Sequence, residues 1–297
     1  MTKSQKKRLI KYAAVLIIGI ILIVAEKLEK SKVSTLPPEG NTQDMCHVHF
    51  LDVGQGDCTL IETHDEKYAL IDTSTQSAAE KIVSYLYDEG VEELEFVLFT
   101  HPHEDHIGCG DEVLSYFDVN TVYMNDKTEN TSAFKKLIEA IQNSKEQNGT
   151  LVIKPEEGDT FKLSDIEFTV LSDGDEFDDL NNSSICLKME LGKSTFIFTG
   201  DAEKKVERYI LEGGESIEAE VLKCGHHGSS TSNSSSFLDA VDPDIAIISC
   251  GKDNDYGHPH DEVMKELSER NIYYKRTDLD GDIILAFDED SIGILRQ

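Results

Sequence analysis

Basic side chains are scarce in this 297-residue chain, where 28 Lys and Arg stand against 58 Asp and Glu. Eight of the basic residues but only two of the acidic ones fall within residues 1–32, so residues 33–297 carry 20 against 56, a net charge of −36. A surface this negative repels polyanions at long range. That argues against a non-specific nucleic-acid coating protein and leaves only a local metal or lysine cluster to meet a phosphate. Cysteine is sparse and spread out, at Cys46, Cys58, Cys109, Cys186, Cys224 and Cys250. The spacing is too wide for a disulfide-dense miniature fold, and no CxxC pair offers a structural zinc site. Most of the six are expected in the core, with one or two disulfides open to a body lying outside the cell. The body has no internal repeat and no second linker, so one α/β domain is the economical reading. Apolar runs such as 96–99 and 245–248 recur between turn signals, which argues against disorder.

The first 32 residues have a layout of their own. Lys3, Lys6, Lys7, Arg8 and Lys11 precede an apolar run over 13–25, and Glu26 and Lys27 follow at once. Such a run spans roughly 20 Å as a helix, short of the ~30 Å hydrocarbon thickness, although a snorkelling Lys11 extends the reach. No small-x-small cleavage site stands at its end, so an uncleaved signal-anchor is preferred over a removed signal peptide. The expected organisation is therefore a signal/anchor segment over 1–32, a linker over 33–45 and a catalytic domain over 46–297. The body is expected outside a membrane that the chain crosses once as a hydrophobic helix. No protein partner is implied.

Within the body, 48–53, 59–63, 68–71, 96–100 and 121–124 read as strands, and so do 151–153, 168–171, 184–189, 195–199, 219–222, 245–248 and 283–287. Helical spacing appears over 78–87, 133–141, 203–211, 235–241 and 261–270. Two packed sheets with helices outside fit this order, although the pattern alone does not select them over a doubly wound sheet.

The chemistry is concentrated at strand ends. Thr100-His101-Pro102-His103-Glu104-Asp105-His106 follows an apolar strand and sets three imidazoles and the Asp105 carboxylate within six residues. These are ligand types for zinc and for harder divalent ions, and a turn after a strand can splay them towards two metals. Two further strands end alike, in Thr199-Gly200-Asp201 and in Lys223-Cys224-Gly225-His226-His227-Gly228-Ser229.

These residues resemble the metallo-β-lactamase fold hydrolases, whose HxHxDH signature is met by His101, His103, Asp105 and His106. Within that family the chain most resembles the hydrolase domain of ComEC-type competence proteins. The shared segments are 51–57 (LDVGQGD), 71–73 (IDT), 199–201 (TGD), 226–229 (HHGS), 254–259 (NDYGHP) and 276–278 (RTD). The resemblance covers roughly 46–287 and implies a four-layer αββα sandwich with two divalent ions, zinc or manganese, at one edge. It implies His101 and His103 as ligands of the first metal, Asp105, His106 and His226 as ligands of the second, and Asp201 as the bridging carboxylate. Asp72 is implied as the aspartate that orients the ligand loop, and His258 as a proton donor near the leaving oxygen. His227 is left open as ligand or substrate contact, and Ser229 as substrate contact or loop residue. Many members add a third histidine to the first metal, yet none occurs between His106 and His226. Asn182-Ser183-Ser184 stands there, so the first site is expected to be weak, with Asn182 or water completing it.

The activity implied is hydrolysis by a metal-held hydroxide, with Asp105 also steering the nucleophile and a phosphodiester as favoured substrate. Single-stranded DNA is the specific form that the resemblance suggests. A small envelope phosphoester is the rival, and a non-catalytic DNA-uptake or binding module is the reading from another class. Lys223 and Lys252 are expected at the surface, His260 in a solvated loop, and His47, His49 and His64 as strand or surface residues. The acidic stretch over 173–179 lacks the spacing of a calcium loop.

Overall fold

The computed structural model describes residues 33–34 and 42–295. The first strands in chain order are β1 (Val33–Ser34), β2 (Cys46–Phe50), β3 (Thr59–Glu62), β4 (Tyr68–Ile71), β5 (Glu93–Phe99), β6 (Asp118–Met124) and β7 (Leu151–Ile153). Then follow β8 (Thr160–Leu163), β9 (Ile166–Ser172), β10 (Cys186–Leu191), β11 (Ser194–Phe198), β12 (Val221–Lys223), β13 (Ile245–Ile248) and β14 (Tyr273–Arg276). The last are β15 (Ile283–Phe287) and β16 (Ile292–Ile294). They assemble into a nine-stranded sheet, β1-β16-β15-β2-β3-β4-β5-β6-β7, and a seven-stranded sheet, β14-β13-β12-β11-β10-β9-β8.

Both sheets are mixed. Strands β4 to β7 run parallel in the first, and β11 to β14 run parallel in the second. Parallel strands covered on both faces need continuous apolar runs, and Ile245-Ala246-Ile247-Ile248 in β13 is buried throughout. Where one face meets the partner sheet and the other meets helices, alternate residues divide between two cores. Val48, Phe50, Phe96, Phe168, Phe196 and Phe287 fill the space between the sheets. Leu60, Leu70 and Val97 pack instead under helices Ala79–Asp88, Gly110–Tyr116 and Ser132–Asn148. Ile197, Leu222 and Ala246 pack under Lys204–Gly213, Ser235–Val241 and Asp261–Glu269. The result is the four-layer αββα sandwich of the metallo-β-lactamase fold.

Several expectations need correction. No helix among the described residues is long and apolar enough to cross a membrane. The signal-anchor, the membrane as partner and the single-pass location are accordingly withdrawn, and the run over 13–25 on which they were placed lies outside the described residues. Part of the expected linker is a strand, since β1 pairs in parallel with β16. The strand foreseen over 48–53 stops at Phe50, and the chain leaves through Gly54 and Gly56, both at positive φ. The helix foreseen over 133–141 continues to Asn148, capped by the Thr131 hydroxyl and ended by Gly149 in the left-handed region. Its last turns are polar and escaped the periodicity, because their inward contact is the Ser144 hydroxyl on Thr150 at 2.6 Å. Strand β14 was missed because it lies at a sheet edge and its residues are half-exposed. All six cysteines are buried free thiols, as expected of core residues, and the disulfides left open by the sequence are absent.

Phe196 is fully buried on β11 and meets Phe287 of the other sheet edge-on at 5.0 Å. Phe196→Ala should lower the unfolding free energy by about 3–5 kcal/mol, read as a shift of the urea midpoint at unchanged m-value.

Candidate metal centre

The ligand-type residues lie at carboxyl ends of parallel strands from both sheets, where α/β folds place their binding crevices. Asp72 follows β4, the 100–106 segment follows β5, Asp201 follows β11, and the His226-His227 pair follows β12. After β5 the chain bends at His101 and Pro102, is extended at His103 and then makes the short helix Glu104–Ile107, which brings Asp105 and His106 back towards His101. Asp72 holds this loop from below. Its Oδ1 accepts from the Thr100 N–H and its Oδ2 from the Thr100 hydroxyl, each at 2.8 Å, and Oδ2 lies 2.7 Å from His106 Nδ1. With Nδ1 so engaged, His106 turns Nε2 into the site. Loop 51–58 closes over the same segment through Gly56, where a Cβ would stand 2.5 Å from the Asp105 carbonyl oxygen. His226 and His227 both adopt left-handed backbone, at φ 51° and 53°. Non-glycine residues pay about 1–3 kcal/mol each for such conformations, which cluster at functional sites.

Asp201 is the point where the two sheets' contributions meet. Its Oδ1 lies 3.2 Å from His106 Nε2 and 3.6 Å from His227 Nε2, while its Oδ2 lies 3.6 Å from His226 Nε2 and 3.8 Å from His101 Nε2. His103 Nδ1 is 2.9 Å from His101 Nε2, and Asp105 Oδ2 is 3.3 Å from His227 Nε2. Two groups of mutually close ligand atoms result, Asp105-His106-Asp201-His227 and His101-His103-Asp201, consistent with two divalent ions that share Asp201.

Hydrogen bonding and charge test whether cations fit. His106 Nε2, His227 Nε2 and Asp201 Oδ1 are buried and have no hydrogen-bond partner, although they face one another. Burial opposes charge on His106, yet the Asp201 and Asp72 carboxylates hold its pKa well above the ordinary value. Against the same burial, Asp201, Asp57 and Asp105 push His227 up to about 10. Burial likewise opposes ionisation of Asp201, and the imidazoles of His106 and His227 pull it well below the carboxylate range. The carboxylates thus demand positive charge where the imidazole lone pairs converge, and divalent ions meet that demand while satisfying the orphaned atoms.

Several predicted residues lie elsewhere or act differently. His227, left open by the sequence, joins the Asp105 group, whereas His226 faces the Asp201 oxygen that His101 faces. Asn182 does not line the cleft. Its amide bonds Glu203 Oε2 at 3.2 Å and its carbonyl accepts from the Glu203 N–H at 3.1 Å. Its neighbour Asn181 lines the cleft instead, and the Ser184 hydroxyl stands 3.3 Å behind His101 Nδ1. Ser229 is buried against Thr231, outside the cleft lining. His258 does line it, and burial together with the facing His227 and His226 lowers its pKa to about 4. His260 accepts from the Ser230 N–H at 2.8 Å.

Lys223, expected at the surface, is 3% exposed and forms an ion pair with buried Asp57 at 2.8 Å. Asp57 Oδ1 in turn lies 3.2 Å from His227 Nδ1, as Asp72 does beneath His106. Sequence reasoning missed this role of Asp57, although its place in the LDVGQGD segment was the available signal. The cleft encloses about 310 Å³, and Gln55, Glu104 and Tyr256 complete its wall.

A mixed αββα sandwich with two His/Asp groups at one edge defines a class of metal-binding proteins, and residues 51–252 match the metallo-beta-lactamase superfamily. The chain belongs to that superfamily. It is similar to the ComE operon protein 3 of Bacillus subtilis (strain 168), with 32% identity over 254 residues that cover 80% of this chain and 32% of that protein. It is also similar to Recombination protein 2 of Haemophilus influenzae, with 32% identity over 256 residues, 83% of this chain and 29% of that one. The chain spans about a third of the length of the curated relatives it matches. The fold is shared with CmlA, a diiron beta-hydroxylase from Streptomyces venezuelae, at TM-score 0.56 and 14% identity, covering 82% of this chain and 54% of that one.

Asp72→Ala removes the carboxylate beneath His106 and should weaken divalent-ion binding by about 10–100-fold. Zinc titration of the chelator-treated protein, with circular dichroism to check the fold, measures this loss.

Proposed function

We propose that this chain is a two-metal phosphodiester hydrolase. The observation that carries the reading is Asp201, a buried carboxylate whose two oxygens face different pairs of imidazoles. In this reading His101, His103 and His226 hold the first ion, and Asp105, His106 and His227 hold the second. Asp201 serves both. His226, 3.6 Å from the Asp201 oxygen that His101 also faces, would take the place of the histidine that the sequence appeared to lack. When bound, a pair of zinc or manganese ions supplies Lewis acidity and a nucleophile at neutral pH, the chemistry that suits in-line displacement at a phosphodiester.

The chain's own residues do the rest. Asp72 fixes the ring orientation of His106 through Nδ1, and the Ser249 carbonyl at 3.1 Å fixes that of His227, with the Asp57 carboxylate beside the same nitrogen. His258 and Tyr256 line the same cleft, where the His258 ring stands 5.5 Å from that of His226, and His258 would donate to the leaving oxygen. Glu104 and Asp105 line the cleft, and no Lys or Arg does so among the described residues. A substrate phosphate is therefore met by the metals and the imidazoles. Single-stranded DNA is the substrate suggested by the resemblance to competence-type hydrolase domains read from the sequence. The acidic body and the cleft without lysine or arginine favour a small phosphodiester as the second reading.

The test gives the full chain, loaded with manganese or zinc, a chromogenic phosphodiester and labelled single-stranded DNA. Asp105→Ala should cut turnover at least about 100-fold, as should His258→Ala if it assists proton transfer to the leaving group. Only Asp105→Ala should also reduce metal content. The DNA-to-ester ratio separates nuclease from small-ester hydrolase. Bound metal without turnover above the Asp105→Ala rate on either substrate would rule out phosphodiester hydrolysis.

A further inference from the structure

A second set of ligand-type side chains sits far from the cleft. His47 and His49 are two residues apart on β2, so the pleat presents both rings on one face, while Val48 and Phe50 point into the core between the sheets. Glu62 of β3 lies directly opposite His47 in the antiparallel register. One of its oxygens, Oε2, is 3.1 Å from His47 Nδ1 and 3.6 Å from His49 Nε2. The three residues offer ligand atoms that all lie within 4.8 Å of one another. Strand β2 is antiparallel to β3, which is antiparallel to β4, so β2 runs in the direction of the ligand-bearing strands. His47 and Glu62 lie at its amino-terminal end, whereas the cleft gathers at the carboxyl ends.

His49 provides an independent observation. Its ring is 3% exposed, and its Nδ1 is 2.7 Å from the Tyr85 hydroxyl. Its Nε2 is buried without a hydrogen-bond partner and faces the Glu62 carboxylate. Metal-ligating histidines habitually give their other ring N–H to an oxygen, and Tyr85 is placed to receive it. In that tautomer a nitrogen lone pair confronts a carboxylate oxygen, an arrangement that needs a cation between them. Burial opposes ionisation of Glu62, yet the two imidazoles beside it lower its pKa to about 2, so it is a carboxylate throughout the physiological range. His47 and Glu62 are 14% and 20% exposed, which leaves the site open to ions from solvent.

We propose that His47, His49 and Glu62 form a separate site for one divalent transition-metal ion of the zinc class. Two imidazoles and one carboxylate with open positions suit zinc, cobalt, nickel or copper and not calcium or magnesium. The ion would tie β2 to β3 at the end of the sheet remote from the chemistry.

Equilibrium dialysis of the full chain against zinc, with metal counted by mass spectrometry, tests this. The unsubstituted chain should retain one more zinc ion than His47→Gln combined with Glu62→Gln, and phosphodiester turnover should be alike in the two. Loss of even an outer partner of a ligand weakens metal binding 10–100-fold, so each single substitution should weaken this site at least about tenfold. Equal zinc content and affinity in both proteins would mean that the cluster takes a proton only, and would overturn the proposal whatever the activity in the cleft. Should the double variant fail to fold, ring NMR of the unsubstituted chain decides. Zinc must shift the His47 and His49 signals, and unmoved signals at saturation refute the site.

Discussion

Asp201 is a carboxylate shut away from water at the seam between two sheets. Burying such a charge costs of the order of several kcal/mol unless positive charge or donors face it. Its backbone N–H is held by the Ser184 hydroxyl at 3.0 Å, and four imidazoles converge on its side chain. Two of them come from the loop after β5 and two from the loop after β12, so the surroundings of Asp201 exist only when the sheets are docked. The phenylalanines between the sheets fix that docking, with Phe50 of one sheet stacked on Phe198 of the other at 6.3 Å between ring centres. One layer deeper, Asp72 and the Ser249 carbonyl hold imidazole Nδ1 atoms and direct the opposite nitrogens inward, and Asp57 adds its charge beside His227. The centre is thus built as carboxylate, imidazole and carboxylate in sequence from both sides.

Much of this was legible in the sequence because the signal was local. The residues from His101 to His106 carry their chemistry in six consecutive positions, and strand-end Asp72 and Asp201 follow apolar runs that announce themselves. What escaped depends on backbone turns that composition does not encode. Asn181 rather than Asn182 reaches the cleft because the 3-10 turn Asn181–Ser183 rotates each successive side chain by about a third of a turn. His227 and not His226 joins Asp105 and His106, at two consecutive left-handed residues that redirect the chain. Lys223 looked like a surface residue, yet it ends a strand buried on both faces, where a cation persists only by pairing, here with a residue 166 positions earlier. Edge strand β14 shows the opposite failure, since half-exposed tyrosines give no alternation to read.

The acidic composition takes on a different meaning beside this geometry. The potential that repels long polyanions also concentrates divalent cations near the surface, and both groups of imidazoles, in the cleft and on β2, face carboxylates. An acidic body around clustered imidazoles suits a protein whose chemistry depends on captured cations. The same body leaves the recognition of a phosphate to the cleft alone.

The order of strands has a consequence for synthesis. Strand β2 pairs with β3 on one side and with β15 on the other, and the Asp52 N–H reaches Asp282 Oδ1 at 2.6 Å across 230 positions. On a ribosome the amino-terminal half of the first sheet emerges early with an open hydrogen-bonding edge, and its neighbour is made only after the whole second sheet. Non-local pairing of this kind is slow, because loop closure comes before any contact repays it. The nascent chain therefore carries a nearly complete second sheet while β2 still awaits its partner, and it is in that interval that a chaperone would find an unpaired strand to protect.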